Sequence, residues 1–259
     1  MGICEMETTS ISVPTTPLLR YVLQRADDAL ILGHRLSEWC GAAPMMEEEM
    51  ALANMGLDLI GQARALYGYA ATLAGNGQTE DEFAYFRDER GFGNLLLLEQ
   101  PNGDFAQTMM RQYLYAAFID LYWQALMKSP DATLAAIAAK AEKESAYHLR
   151  HSAEWVVRLG DGTAESHKRA QQAVDRLWPY TGEMFMPEAE AMRGIVPDPA
   201  ALRPSWLAAV KPVLERATIN LPQDGWMQKG GRDGIHSEHL GHLLAEMQSL
   251  ARMHPEAVW

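Results

Sequence analysis

The sequence predicts an all-α protein: a four-helix bundle followed by additional C-terminal helices. Three observations support this. Apolar residues recur at spacings of three and four over long windows. Runs of alternating Val, Ile and Thr are nearly absent, so strands have little support. Nearly half of the 259 residues are apolar, with Ala and Met plentiful, a composition that favours helices. A chain of this length fits one extended helical core. Residues 18–259 are therefore expected to form a single domain behind a disordered Thr/Ser/Pro-rich tail, residues 1–17.

The first helix is expected over Leu18–Cys40, where Leu19, Val22, Leu23, Ala26, Leu30, Leu36 and Trp39 keep the helical period, and Gly41–Pro44 ends it. Pro44 suits the start of a second helix running to about Ala74, with Glu47, Glu48 and Glu49 in its first turn, where the helix dipole favours anions. Gln78–Gly103 is irregular and holds the string Arg87-Asp-Glu-Arg-Gly-Phe-Gly-Asn94; a connection this long is more often functional or interfacial than idle. Asp104–Lys128 and Asp131–Leu159 give the third and fourth helices, separated by Ser129-Pro130. Thr163 caps a fifth, to about Tyr180. Ser205 is expected to cap a shorter helix that Pro212 kinks or restarts. The Gly-rich loop Lys229–Gly234 then leads into a final helix over Ser237–Met253.

A net charge of -12 disfavours nucleic acid and anionic membranes, because phosphate binding needs a basic face. Two cysteines, Cys4 and Cys40, argue against a disulfide framework and fit a reducing cytoplasm. No signal peptide or membrane-spanning run is read.

Ala139–Ser152 bears most directly on function. Bundles that hold two iron ions use a Glu from each of two helices and a Glu-x-x-His pair from each of the others, since residues three apart share a helix face. Here Glu144 is followed three positions later by Tyr147, and a phenol is a poor ligand at neutral pH. The residues three before the eight histidines are Ile31, Ser145, His148, Ala164, Asp233, His236, His239 and Ala251. Only Asp233 is a carboxylate, and it lies in a Gly-rich loop, so no metal site is expected. Asp28, Asn54, Asp58, Gln62, Asp120, Glu144, Tyr147 and His148 are read as a buried hydrogen-bonded network left at the bundle centre, since unpaired buried acids are costly. An atypical ligand set drawn from Asp28, Asp58, Asp120, Glu144 and His148 is the alternative. His236, His239 and His242 could share a face for one metal, but read better as a helix start with a capping Ser237 and polar contacts to a partner. Lys229–Gly234 could cradle phosphate, although it lacks the P-loop order.

Several strings together resemble one family: Leu-Ala-Asn-Met-Gly-Leu-Asp-Leu-Ile-Gly-Gln-Ala-Arg over 52–64, Arg87-Asp-Glu-Arg90, Glu99-Gln-Pro-Asn-Gly103, Tyr147-His-Leu-Arg150 and Glu238-His-Leu-Gly241. They look like the structural, non-catalytic C subunits of the bacterial phenylacetyl-CoA 1,2-epoxidases, also called phenylacetate-CoA oxygenases. The resemblance runs from about Leu18 to Trp259, with 186–204 more divergent. It implies a ferritin-like bundle that has lost its metal and pairs with a homologous catalytic partner, which carries the di-iron centre. No cofactor is then expected in this chain. A reductase and a further small subunit make up the rest of the implied complex. The resemblance also implies that the chain borders the CoA-ester site, with the loop Gly91, Phe92, Gly93, Asn94 reaching towards substrate and Ala191, Met192 and Arg193 as a second approach. The chain's acidity would repel CoA phosphates unless the catalytic partner supplies cations.

Overall fold

The computed structural model describes residues 10–13 and 16–257. Among these, nine α-helices and five short 3-10 turns are joined by loops, and no strand occurs beyond one isolated bridge between Arg193 and Val196. The expectation of a disordered tail lies outside the described residues for 1–9, 14 and 15. Within the tail, Ile11 donates its N–H to the Phe86 carbonyl at 2.9 Å and Ser10 donates to Asp88 at 2.6 Å, so this short piece is tied to the body of the protein.

Helix α1 spans Pro17–Ser37, three residues short of the expected end. The Thr16 hydroxyl caps it by accepting from the Leu19 N–H at 3.2 Å. Nearly every residue from Leu19 to Leu36 is buried, including Gln24, Arg25, Asp27 and Asp28. A helix buried on all sides has neighbours on all sides. Its charged residues must therefore find partners within the protein.

Helix α2 spans Met46–Ala74. It starts after Met45 without a side-chain cap rather than at Pro44, keeps Glu47, Glu48 and Glu49 in its first turn, and ends at Gly75 with φ of 62°. The long connection contains α3 (Glu80–Tyr85), opened by a Thr79/Glu82 capping box, and the single turn α4 (Leu96–Glu99). Helices α5 (Phe105–Leu126) and α6 (Ala132–Gly160) are capped by Asp104 and Asp131, as the sequence predicts. Asp131 accepts from the N–H groups of Thr133 and Leu134, both at 3.0 Å, and its other oxygen accepts from Tyr69. Asp131→Ala is therefore expected to cost about 1–2 kcal/mol, measured as a lower urea midpoint with unchanged slope.

Helices α7 (Ala164–Leu177), α8 (Pro199–Arg216) and α9 (Glu238–Met253) complete the chain. The expected start at Ser205 is corrected. Asp198 caps α8, Pro199 opens it, and both Pro204 and Pro212 lie inside it. Each proline removes a helical hydrogen bond, yet the helix continues because Trp206, Val210 and Leu214 are buried along one face. The Trp206 indole also donates to the Leu114 carbonyl at 3.0 Å.

Helix α1 packs along α2, α5 packs along α6, and α2 meets α6; α7 and α8 lie on α5, and α9 lies on α3. The buried apolar side chains of all these helices form one core. Tyr21 and Tyr122 bridge α1 and α5 through a hydroxyl contact at 3.0 Å.

Candidate functional site

The adjacent acids Asp27 and Asp28 sit fully buried in the middle of α1 and engage different loops. Asp27 accepts from the Tyr67 hydroxyl at 2.6 Å and the Gly93 N–H at 2.8 Å, and it pairs with both terminal nitrogens of Arg87. Arg87 is itself buried. It also donates to the carbonyls of Phe83 and Gly91 and lies over the Phe92 ring, 4.2 Å from its centroid. Burial first, and then the neighbouring Asp27 charge, pushes the Tyr67 phenol well above its ordinary pKa. It stays a hydrogen-bond donor.

Asp28 accepts from the Leu95 N–H at 2.8 Å and takes a two-pronged ion pair from Arg232 at 2.9 and 2.7 Å. Arg232 also donates to the Gly93 carbonyl at 2.6 Å. The loops 87–95 and 230–236 are thus both fastened to α1. Gly93 and Gly231 permit this closeness: a Cβ on Gly93 would lie 2.7 Å from Gln24 Cγ, and one on Gly231 would run into the Asn94 carbonyl oxygen.

Two further acids finish the arrangement. Glu183 accepts from the Leu96 N–H at 2.8 Å with one oxygen and from the Gly230 N–H at 2.9 Å with the other. This corrects the phosphate expectation for Lys229–Gly234: N–H groups that would cradle an anion already hold this carboxylate. Glu99 accepts from the Ser237 N–H at 2.6 Å, from His236 Nδ1 at 2.8 Å and from Asn94 at 2.9 Å. His236 Nε2 faces the Phe92 carbonyl at 2.9 Å. Burial opposes a charge on this imidazole, but the Glu99 bond and charge and the Phe92 carbonyl outweigh it, so its pKa is raised. Ser237 is the N-terminal flanking residue of α9, but its side chain makes no capping bond among the described residues. The three histidines do not converge. His236 is enclosed and His242 is exposed, while the His239 carbonyl accepts from Arg35 at 3.4 Å.

The expected substrate loop is corrected in part. Phe92 and Asn94 are buried side chains, held by Arg87 and Glu99, and cannot reach outward. Gly91, Phe92 and Gly93 nevertheless line one wall of a cavity of about 440 Å³. Met192 is buried and lines a second cavity of about 360 Å³. The two cavities share Arg20, Gln24, Arg232 and Asp233. Ala191 is exposed and lines neither, and Arg193 is exposed and pairs with Glu190 at 3.0 Å.

The expected bundle-centre network is not one network. Asp28 belongs to the loop fasteners. His148 Nε2 meets Asp58 at 3.1 Å, and Gln62 donates to Glu144 at 2.8 Å, across the α2–α6 seam. Asp120 lies apart on α5, where Gln124 donates to one oxygen at 2.8 Å. Burial and the charge of Glu142 raise its pKa, while the Gln124 bond lowers it. Asn54 and Tyr147 are exposed, because on their helices the positions that turn inward are Met55 and His148. Among the described residues no group of three or more His, Cys, Asp or Glu side chains is gathered closely enough to hold a metal ion.

Asp27 and Glu183, which help organise the site, escaped the sequence reading, while Arg87, Glu99 and Arg232 entered it only within longer strings, without these partners. Two adjacent acids inside a helix with apolar residues at the helical period, Asp27 and Asp28, were the available signal. Arg87 and Arg232 are far from them in sequence, and only the fold joins them.

The family model for phenylacetic acid catabolic proteins matches residues 1–259. The chain is also 50% identical over 246 residues, 93% of its own length and 99% of the relative's, to the C subunit of 1,2-phenylacetyl-CoA epoxidase from Escherichia coli (strain K12). The resemblance read from the five sequence strings is borne out over the whole chain: it belongs to the phenylacetic acid catabolic protein family.

Proposed function

We propose that this chain is a non-catalytic accessory component of a multicomponent oxygenase that epoxidises the ring of phenylacetyl-CoA, and that it supports a homologous di-iron catalytic partner in the cytoplasm. A reductase and a further small subunit belong to the same assembly. The four long helices α1, α2, α5 and α6 are the ferritin-like bundle of this reading.

The observation that carries it is the state of the would-be metal positions. The donors of the α2–α6 seam occur as closed pairs, Asp58 with His148 and Gln62 with Glu144, with Lys140 3.7 Å from Glu144. Asp28 is consumed by Arg232 and Leu95. A two-iron site needs carboxylates and imidazoles converging from four helices, and the side chains present do not fit that demand. The alternative of an active di-metal oxidase with atypical ligands thereby loses support. The cavity beside Gly91–Gly93 supports a border with the CoA ester. No helix among the described residues is long and apolar enough to cross a membrane.

A face for the catalytic partner is offered by α2. Met46, Met50, Leu57 and Ile60 are exposed along it at helical spacing, an apolar stripe of the kind that marks protein interfaces. Co-expression with the catalytic partner tests the reading. The pair should co-purify with iron bound to the partner, and turnover should require both chains. Met50→Glu with Leu57→Glu should weaken the complex at least about tenfold, a change of about 1.4 kcal/mol, while leaving the circular dichroism of the free chain unchanged. About two irons per chain in this protein purified by itself, lost on Glu144→Ala, would sink the proposal.

A further inference from the structure

Arg25 lies in the middle of α1 with 3% of its side chain exposed. Its guanidinium sits beside the phenol rings of Tyr21 and Tyr122, 5.8 and 5.4 Å from their centroids. Its Nε is buried and has no hydrogen-bond partner among the described residues. Its terminal nitrogens reach carboxylates only at ion-pair range, Asp28 at 3.4 Å and Glu188 at 3.8 Å. Asp28 is already committed to Arg232 and the Leu95 N–H. A guanidinium carries five N–H donors in a rigid fork, and leaving buried donors unmet is costly.

Arg25 faces the cavity of about 360 Å³ described above, a size within the range of small-molecule sites. Its walls combine Tyr21, Met184 and Met192 with this one under-used cation. We propose that the cavity binds a small organic carboxylate, its two oxygens taking the outer edge of the Arg25 guanidinium in place of Glu188, which stands 3.8 Å away, and its apolar body lying against Tyr21, Met184 and Met192.

The charges around the cavity set the class of ligand. Arg232 is neutralised by Asp28 and Arg20 by Asp233 at 2.9 Å, while Glu183 is held by backbone N–H groups. Among the described residues lining the cavity, Arg25 is the cation left over, and Glu188, partly exposed and beyond hydrogen-bond distance, is the acid competing for its outer edge. A monoanion can replace Glu188 there. A phosphate dianion would add charge beside Glu183, Glu188 and Asp233 without a second free cation. Planar, two-pronged recognition of a carboxylate is what an arginine fork supplies best.

The site is independent of the oxygenase reading and is tested on the full chain by itself. Calorimetric titration would compare benzoate, benzamide as its neutral counterpart, and inorganic phosphate. Benzoate is expected to bind saturably, benzamide and phosphate at least about tenfold more weakly. Arg25→Met, which keeps the volume and removes the charge, should lower benzoate affinity at least about tenfold. Glu188→Gln, at the cavity mouth, should raise it by removing the competing anion, and this arm stands even where Arg25→Met fails to fold. Equal binding of benzamide, unchanged or weaker benzoate binding in Glu188→Gln, or no saturable binding of benzoate up to about 10 mM overturns the proposal.

Discussion

Asp27→Asn is expected to lower the stability of the chain by about 3–5 kcal/mol, measured as a fall in the urea midpoint with an unchanged slope. The side chain keeps its volume, so packing is not what changes. What changes is that Arg87, with 2% of its side chain exposed, is left charged in the interior without its counter-ion, and arginine cannot shed its proton to escape. The new amide also turns an N–H group towards donors, because every partner of Asp27, namely Tyr67, Gly93 and Arg87, donates to it. Asp27→Asn combined with Arg87→Met separates charge from shape. The double variant no longer buries an unpaired charge, so it should recover the part of the loss due to that charge, less what the Phe83 and Gly91 carbonyls lose with their Arg87 donors. If it is less stable than Asp27→Asn by more than the loss of the Phe83 and Gly91 bonds explains, the buried charge is not the cause. The cost falls on the segment that lines the larger cavity, so hydrogen exchange at Gly91–Gly93 should quicken before that of the helices.

The same pair shows what could be read from the sequence. The long helices were legible because apolar periodicity and capping residues are local signals: Asp104, Asp131 and Thr163 each begin the helix they were expected to begin. Ser205 failed because two prolines argued locally against a helix that buried Trp206, Val210 and Leu214 hold together through tertiary packing. Of the polar positions read as a bundle-centre network, Asn54 and Tyr147 face outward, and the partners of the others were not foreseen. Helical spacing says which residues share a face and says nothing about which loop returns to meet it. Asp28 therefore looked like a bundle-centre acid, whereas it belongs to Arg232, 204 positions later in the chain. The family resemblance implied that the loop Gly91–Asn94 reaches towards substrate, and nothing local in Gly-Phe-Gly-Asn shows that Phe92 and Asn94 turn inward. Here the missing side chains let backbone approach α1, and Asn94 serves Glu99.

Glu99 gives the second large effect, and its sign depends on pH. Glu99→Gln leaves one amide oxygen to serve donors from Asn94, His236 and Ser237 and turns an N–H group against one of them. In the wild-type chain the raised pKa of His236 means that the folded protein holds this proton more tightly than the unfolded chain. That contribution is fully present below the ordinary histidine value of about 6.5 and is lost as pH rises through the higher folded value. Without the Glu99 charge, burial dominates and pushes the His236 pKa the other way. The imidazolium then opposes folding at low pH. The stability gap between wild type and Glu99→Gln should accordingly be widest below about pH 6.5, at about 3–5 kcal/mol for a broken buried pair, and should narrow as pH rises through the raised folded value of His236. Urea titrations of both proteins at a series of pH values read this directly. Comparing the two cancels the other titrating groups they share, so a gap that stays constant with pH would assign the loss to hydrogen-bond geometry alone. A narrowing gap assigns it to the ion pair that fixes α9 and the loop 230–236 against the wall of the site.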